Sequence, residues 1–121
     1  MRGKDNFREL LGIKVIEVRD GYAKLSLKTT KNLLNAVGVA HGGAIFALAD
    51  CAFAEAANSG DKVAIAIQVD IKFVKPSVEG DVLTAEAVRV SQGKTLSLFQ
   101  VTVSNQNNTI AFFSGLAYSK Q

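Results

Sequence analysis

Hydrophobic and polar positions along this chain change period several times, and each change marks an element. "KDNFRELLG" has the spacing of a short helix, with Gly12 as its stop. "IKVIEVRDGYAKLSLKTT" alternates instead. Ile13, Val15 and Glu17 fall on one face, and Lys14, Ile16 and Val18 on the other. Asp20-Gly21 stands between two strand-like runs, which predicts a hairpin. "KNLLNAVGVAHGG" is a loop rich in Gly and Asn. Residues 43–58 form the one long helical candidate, free of Pro and interior Gly, with apolar residues around most of its circumference. That is the pattern of a helix surrounded by protein. "NSGD" (58–61) ends it.

Everything beyond reads as strand. "VAIAIQVDIKFVK" alternates, placing Val63, Ile65, Ile67, Val69, Ile71 and Phe73 on one face and Gln68, Asp70 and Lys72 on the other. Pro76 and Gly80 mark a turn. "DVLTAEAVRV", "TLSLFQVTVS" and "TIAFFSGLAYSK" follow, separated by turns at "SQGK" and "NQNN". Short connections between long strands predict an antiparallel sheet of five or six strands. A sheet must cover its apolar face, and the 43–58 helix is the element available. The expectation is an α+β fold in which the sheet wraps that helix and the remaining face pairs with another copy.

Composition narrows the function. The 121 residues suit one domain spanning 1–121, with 48% hydrophobic and 21% charged residues. Fourteen Lys and Arg against eleven Asp and Glu give a net charge of +3. That bias fits an anionic small ligand, but the basic residues are scattered, which argues against nucleic acid. Cys51 is the only cysteine and His41 the only histidine, so neither a disulfide nor a structural metal site within one chain is expected. "MRGKDNFREL" lacks an apolar leader core, and no apolar run is long enough to span a bilayer. A cytoplasmic protein that does not enter membranes is expected.

The candidate chemistry lies in "NAVGVAHGGAIFALADCAFAEAANSG" (35–60). Gly42 and Gly43 stand at the helix start, where backbone N–H groups lack internal partners and the helix dipole adds positive character. Glycine lets a carbonyl oxygen approach closely, so this end can act as an oxyanion hole. Asp50 is a carboxylate on a helix that is otherwise apolar. It stands eight residues further on, about 12 Å along the axis, too far to meet an oxygen held at its own helix's start.

The spacing of Asn35, His41-Gly42-Gly43 and Asp50, followed by long strands, resembles the hotdog-fold acyl-CoA thioesterases of the PaaI type, named for the phenylacetate pathway. The resemblance runs from "LLGIKVIEV" through "HGGAIFALAD" and "IKFVKP" to "SGLAYSK". It implies a sheet curled around one helix, two subunits joined sheet edge to sheet edge, and dimers that often pair into homotetramers. It further implies a site at the dimer interface, with Asn35 and the Gly42 N–H of one chain facing Asp50 of the other. Asp50 would be general base for a water or nucleophile forming a mixed anhydride; the residues do not choose between these. The Gly42 N–H would hold the thioester oxygen, and Asn35 would position water or carbonyl. The substrate would be an acyl-CoA, with no separate cofactor and no metal.

Where some members carry Ser or Thr on the strand after the helix, "AIAIQVD" offers Ala66 and Gln68, and Gln68 is the candidate helper if it faces the site. His41 and Gly43 are candidates for substrate contact, with His41 as a plain loop residue the alternative. Arg89 and Lys94 are candidates for the CoA phosphates, against a reading as charged edge residues, with Gly93-Lys94 forming a turn. Cys51 reads as a small core residue and Glu55 as exposed or interfacial. Phe46, Phe53, Phe112 and Phe113 line an aromatic pocket or fill the core. Two other functions fit the same frame: a non-catalytic acyl-CoA-binding module, and a dehydratase of hydroxyacyl thioesters.

Overall fold

A computed structural model describes residues 3–119. It contains α1 (Asn6–Leu11), β1 (Lys14–Arg19), β2 (Tyr22–Lys28), a 3-10 turn (Lys31–Leu33), α2 (Gly42–Ala57), β3 (Ala64–Phe73), β4 (Val82–Gln92), β5 (Leu96–Ser104) and β6 (Thr109–Ser119). The strands form one antiparallel sheet in the order β1-β2-β4-β5-β6-β3, so β1 and β3 are its edges. The sheet curls around α2, as the apolar circumference of that helix predicts.

Packing between α2 and the sheet is led by phenylalanines. Phe53 meets Phe99 and Phe113 at 5.7 Å between ring centroids, and Phe46 meets Phe113 at the same distance. Such tilted contacts add to the burial of the rings themselves. A Cβ at Gly115 of β6 would lie 2.8 Å from the Phe53 ring, so a glycine is required where this ring crosses the sheet. Phe46, Phe53 and Phe113 therefore serve the core, while Phe112 is exposed on the outer face.

The edge strands depart from simple alternation. In β1, Val15 pairs with Leu25 but Glu17 pairs with Lys24, so Ile16 is an inserted residue. In β3, Ala66 pairs with Ala117 and Gln68 with Leu116, so Ile67 is inserted. Each bulge shifts the side-chain alternation by one position. Val15 thus shares the inner face with Val18, and Glu17 turns outward. On β3 the inner face carries Ala64 and Ala66, then Val69, Ile71 and Phe73, rather than an unbroken odd-numbered row. Gln68 stays on the outer face, opposite Leu116.

Two-residue connections behave as the turn chemistry predicts. Arg19 pairs with Tyr22 across Asp20-Gly21, with Gly21 at φ 71°. The end of α2 is fastened by Asn58, whose Nδ2 donates to the Ala54 and Ala64 carbonyls while its Oδ1 accepts from the Ala64 N–H.

α1 has no buried residue of its own. Asp5 caps it by accepting from the Arg8 N–H at 2.9 Å, and Gly12 closes it at φ 80°. Arg8 reaches across to Glu55 of α2 in an ion pair of 2.7 Å. Glu55 is 6% exposed, which corrects its reading as an exposed or interfacial residue. The unforeseen partner, 47 positions away in sequence, is what makes its burial tolerable.

Candidate active site

The loop before α2 is built on Asn35. Its Oδ1 accepts the backbone N–H groups of Val37, Gly38 and Val39 at 3.0 to 3.2 Å. Leu34 bridges Ala40, the Ala40 N–H donates to the Ser77 carbonyl, and the His41 N–H donates to the Leu33 carbonyl. These bonds hold the chain in position as it enters the helix. Asn35 is a loop organiser in this protomer; its carbonyl oxygen is committed, and its amide N–H groups are the atoms left for any other task.

His41 is the N-cap of α2, and its Nδ1 accepts from the Gly43 N–H at 2.8 Å. That leaves the ring proton of the neutral side chain on Nε2. It also removes the Gly43 N–H from the donors available to a ligand. A Cβ at Gly43 would lie 3.1 Å from His41 Nδ1, so the glycine makes room for the cap. The Gly42 N–H has no acceptor among the described residues. It stands at the positive end of a sixteen-residue helix, beneath the half-exposed Phe73 ring. Of the glycine pair, Gly42 is the one with a free donor.

Asp50 lies on the same helix but cannot face that donor, since eight residues span about 12 Å. Its surroundings are defined by which α2 residues the protomer leaves uncovered. Every residue of the helix is buried except Gly42, Gly43, Phe46, Asp50, Ala54 and Ala57. From Gly43 onward these recur every three or four positions, so they form one stripe with Asp50 at its centre. Phe46 of this stripe packs on Phe113, which pairs with Ile71 of β3. Asp50 has neither a hydrogen bond nor an ion pair among the described residues. Burial raises its pKa, and the like charge of Asp5 raises it further. Beside it, burial pushes the Cys51 thiol up to about 12, so this residue behaves as the core side chain its apolar context predicts.

Other candidates lie elsewhere in the protomer. Gln68 projects from the outer face of the sheet, away from α2. Arg89 faces inward near the C-terminal end of α2, beside Ala57 and Ser59, and both its terminal nitrogens bond to Asp20 at 3.1 and 3.3 Å. Lys94 is exposed in the β4–β5 turn that follows Gln92, near that same end. Within one chain this end is about 24 Å from Gly42. No group of three or more acidic, His or Cys side chains placed to hold a metal occurs among the described residues. Nor is any described helix long and apolar enough to cross a membrane.

The pattern of the family described as Thioesterase superfamily matches residues 37–112, which includes the helix start, Asp50, the strands β3 to β5 and the beginning of β6. The chain belongs to the thioesterase superfamily. It is 37% identical over 119 residues to the acyl-coenzyme A thioesterase PaaI of Escherichia coli, covering 98% of this chain and 85% of that one. The solved structure of E. coli PaaI superposes with a TM-score of 0.94 at 36% identity, over 97% of this chain and 86% of the other. A Streptococcus mutans protein solved with bound acetyl CoA superposes with a TM-score of 0.86 at 26% identity, over 99% and 93% of the two chains. The fold of this thioesterase is the hotdog fold, and its likeness to PaaI-type enzymes holds along nearly the whole chain. It is a thioester hydrolase.

Proposed function

We propose that this thioesterase hydrolyses acyl-CoA to a carboxylic acid and free CoA at a site shared by two subunits. The observation that carries the reading is the pairing of two incomplete halves. A free Gly42 N–H stands at the start of α2, and an unpartnered Asp50 lies at the centre of the helix's one open stripe. Neither can serve the other within a chain. β3 supports the way they are joined. It is a ten-residue edge with Ile65 61%, Ile67 53% and Phe73 52% exposed, and such an edge is a template for pairing. Antiparallel β3–β3 pairing about a two-fold axis sets the Phe73 end of one strand beside the Ala64 end of the other. Each Gly42 then approaches the partner's α2 along its open stripe, where Ala54 and Ala57 permit close contact.

In that arrangement the thioester oxygen accepts the Gly42 N–H. Charge developing on it in the transition state is stabilised by this donor and the helix dipole. Asp50 of the partner either removes a proton from water or attacks the carbonyl carbon itself. Its raised pKa suits the base role by bringing basicity closer to neutral pH. Asn35 Nδ2 lies free to position the water or the carbonyl. Arg89 and Lys94, near the C-terminal end of the partner's helix, are the proposed contacts for the CoA phosphates, although Asp20 offsets the charge of Arg89. Gln68 has no part in this scheme. Dehydration of a hydroxyacyl thioester is disfavoured because His41 Nδ1 is committed to Gly43. A dimer, and beyond it a pair of dimers, acting on CoA esters in the cytoplasm completes the proposal.

The test is release of free thiol from a panel of acyl-CoAs by wild type and Asp50→Asn. The substitution preserves shape and removes the carboxylate. We expect kcat to fall about 100-fold or more with KM little changed, because the loss is in the transition state. Tight binding of acyl-CoA without thiol release would favour a binding module, and enoyl-CoA formation a dehydratase.

A further inference from the structure

Asp81 is a carboxylate that the proposed chemistry does not use, and it is 8% exposed. It closes the crossover from β3 to β4, directly after Gly80, which turns the chain at φ 94°. Four donors from two segments converge on it. Its Oδ2 accepts from Ser77 Oγ at 2.9 Å, the Val78 N–H at 3.1 Å and Asn105 Nδ2 at 3.2 Å. Its Oδ1 accepts from Gln106 Nε2 at 3.4 Å. Ser77 is fully buried and carries the connection further, because its carbonyl accepts the Ala40 N–H at 2.8 Å. Ala40 stands two residues before Gly42. We infer that Asp81 is a positioning residue for the oxyanion donor, acting through Ser77 and Ala40 on the place of the Gly42 N–H. This inference rests on the oxyanion role proposed above for Gly42.

This carboxylate has a task that the sheet does not perform. β3 ends at Phe73 and β4 begins at Val82, so residues 74–81 lie outside the strands. The crossover is anchored at its start, where the Val74 and Lys75 N–H groups both donate to the Ile110 carbonyl. At its end the Gly80 N–H donates to the Thr29 carbonyl, and the Thr29 N–H to the Asp81 carbonyl. Between these anchors Ser77 is tied back by its hydroxyl, to Asp81 and, at 3.5 Å, to Thr29 Oγ1. The Val78 N–H, then Asn105 and Ser77, hold the Asp81 carboxyl below the ordinary carboxylate range. An ionised acceptor makes each of these bonds roughly twice as strong as a neutral one. The crossover touches the start of α2 twice. One contact is the bond from Ala40 to Ser77. The other is the Phe73 ring, 3.3 Å from where a Cβ on Gly42 would lie. Pro76, Val39 and Gly42 share the walls of a cleft of about 280 Å³ there. Placement matters to a donor of this kind, since a shift of about 1 Å can cost on the order of 100-fold in rate.

The experiment is a double-variant cycle on kcat, with hydrogen exchange as a readout independent of activity. Asp81→Ala should lower kcat about 10- to 100-fold and leave KM within about threefold, since a shifted donor is felt in the transition state. In a Gly42→Pro background the same substitution should cost less than about twofold more, because the donor it positions is already gone. Asp81→Asn should stay within about fivefold of wild type, since its amide oxygen accepts the donors that now meet Oδ2. In exchange followed by mass spectrometry, Asp81→Ala should remove protection from residues 36–42 and leave β5 protected. Ser77→Ala removes one bond of the buried cluster and keeps the Ser77 carbonyl. It should show the same pattern at about threefold in kcat, and it carries the test if Asp81→Ala does not fold. Additive losses in the double variant would overturn the inference, because they would make Asp81 a general support of the fold. Unchanged exchange at 36–42 would overturn it equally. A Gly42→Pro variant with full activity would instead sink the oxyanion reading and the catalytic half of this inference, while lost protection at 36–42 would leave Asp81 as the residue that places the loop.

Discussion

Gly42→Pro isolates the proposed oxyanion donor with unusual economy. Gly42 is the first residue of α2, the helical position at which proline is best tolerated because its N–H has no intrahelical partner. The residue before a proline must be extended, and His41 already is, at φ −62° and ψ 137°. Among the described residues no hydrogen bond depends on the Gly42 N–H. The nearest obstacle to a Cβ is Phe73 Cζ at 3.3 Å, the far end of a half-exposed ring that can give way. The fold should therefore lose at most about 1 kcal/mol, and reduced freedom of the unfolded chain offsets part of that. Catalysis should lose far more. Removing one oxyanion donor costs about 100- to 1000-fold in kcat, or roughly 2.7–4 kcal/mol of transition-state stabilisation. Gly42→Ala is the control, since it adds the same Cβ and keeps the N–H. The measurements are thiol release under saturating and limiting substrate, with thermal unfolding of both variants. We expect a Pro variant that melts near wild type and an Ala variant that turns over within a few-fold of wild type. A folded Pro variant within about tenfold of the Ala variant would refute the Gly42 N–H as the oxyanion donor.

Sharing between chains is tested by refolding Gly42→Pro and Asp50→Asn together. Random pairing makes half the dimers mixed, each with one intact site, so activity should return to about a quarter of wild type per subunit; no recovery despite verified subunit exchange would place the site within one chain. Asp5→Asn keeps an N-cap for α1 and removes the like charge that, after burial, raises Asp50. In the proposed role Asp50 works only when ionised, so the acid limb of kcat should move to lower pH, and an unmoved limb would show that Asp5 does not act on it. Arg8→Met strands the buried Glu55 carboxylate and should cost about 3 kcal/mol in urea unfolding, whereas Arg8→Met with Glu55→Leu should recover most of it. Equal losses in the single and double variants would contradict that account.

Local chemistry was enough to read much of this protein. The run of small and apolar residues in 43–58 already specified a helix with no polar side to give to water, and the structure begins it one residue earlier because His41 caps from outside. Turn residues located the hairpins, since Asp20-Gly21 acts through its own backbone geometry. The glycine pair before a helix, with a carboxylate eight positions on, suggested carbonyl chemistry, and helix rise alone keeps the two apart within one chain.

What the sequence could not reveal depended on atoms brought from elsewhere in the chain. The alternation of β1 and β3 looked unbroken because a bulge leaves the residue types unchanged; only the partner strand shows that Ile16 and Ile67 are extra. Gln68 looked available to the site until the register put it on the outer face. Glu55 read as exposed or interfacial because Arg8, which pairs with it, is 47 positions distant. By residue type alone Gly42 and Gly43 are alike, and only the family resemblance assigned the oxygen to Gly42; in the structure a single hydrogen bond from the Gly43 N–H to His41 Nδ1 sets them apart. Periodicity and turn chemistry act over a few residues and can be read in one dimension. Register, charge pairing and the choice of which N–H stays free are set by contacts between distant segments, and those exist only once the sheet has closed around the helix.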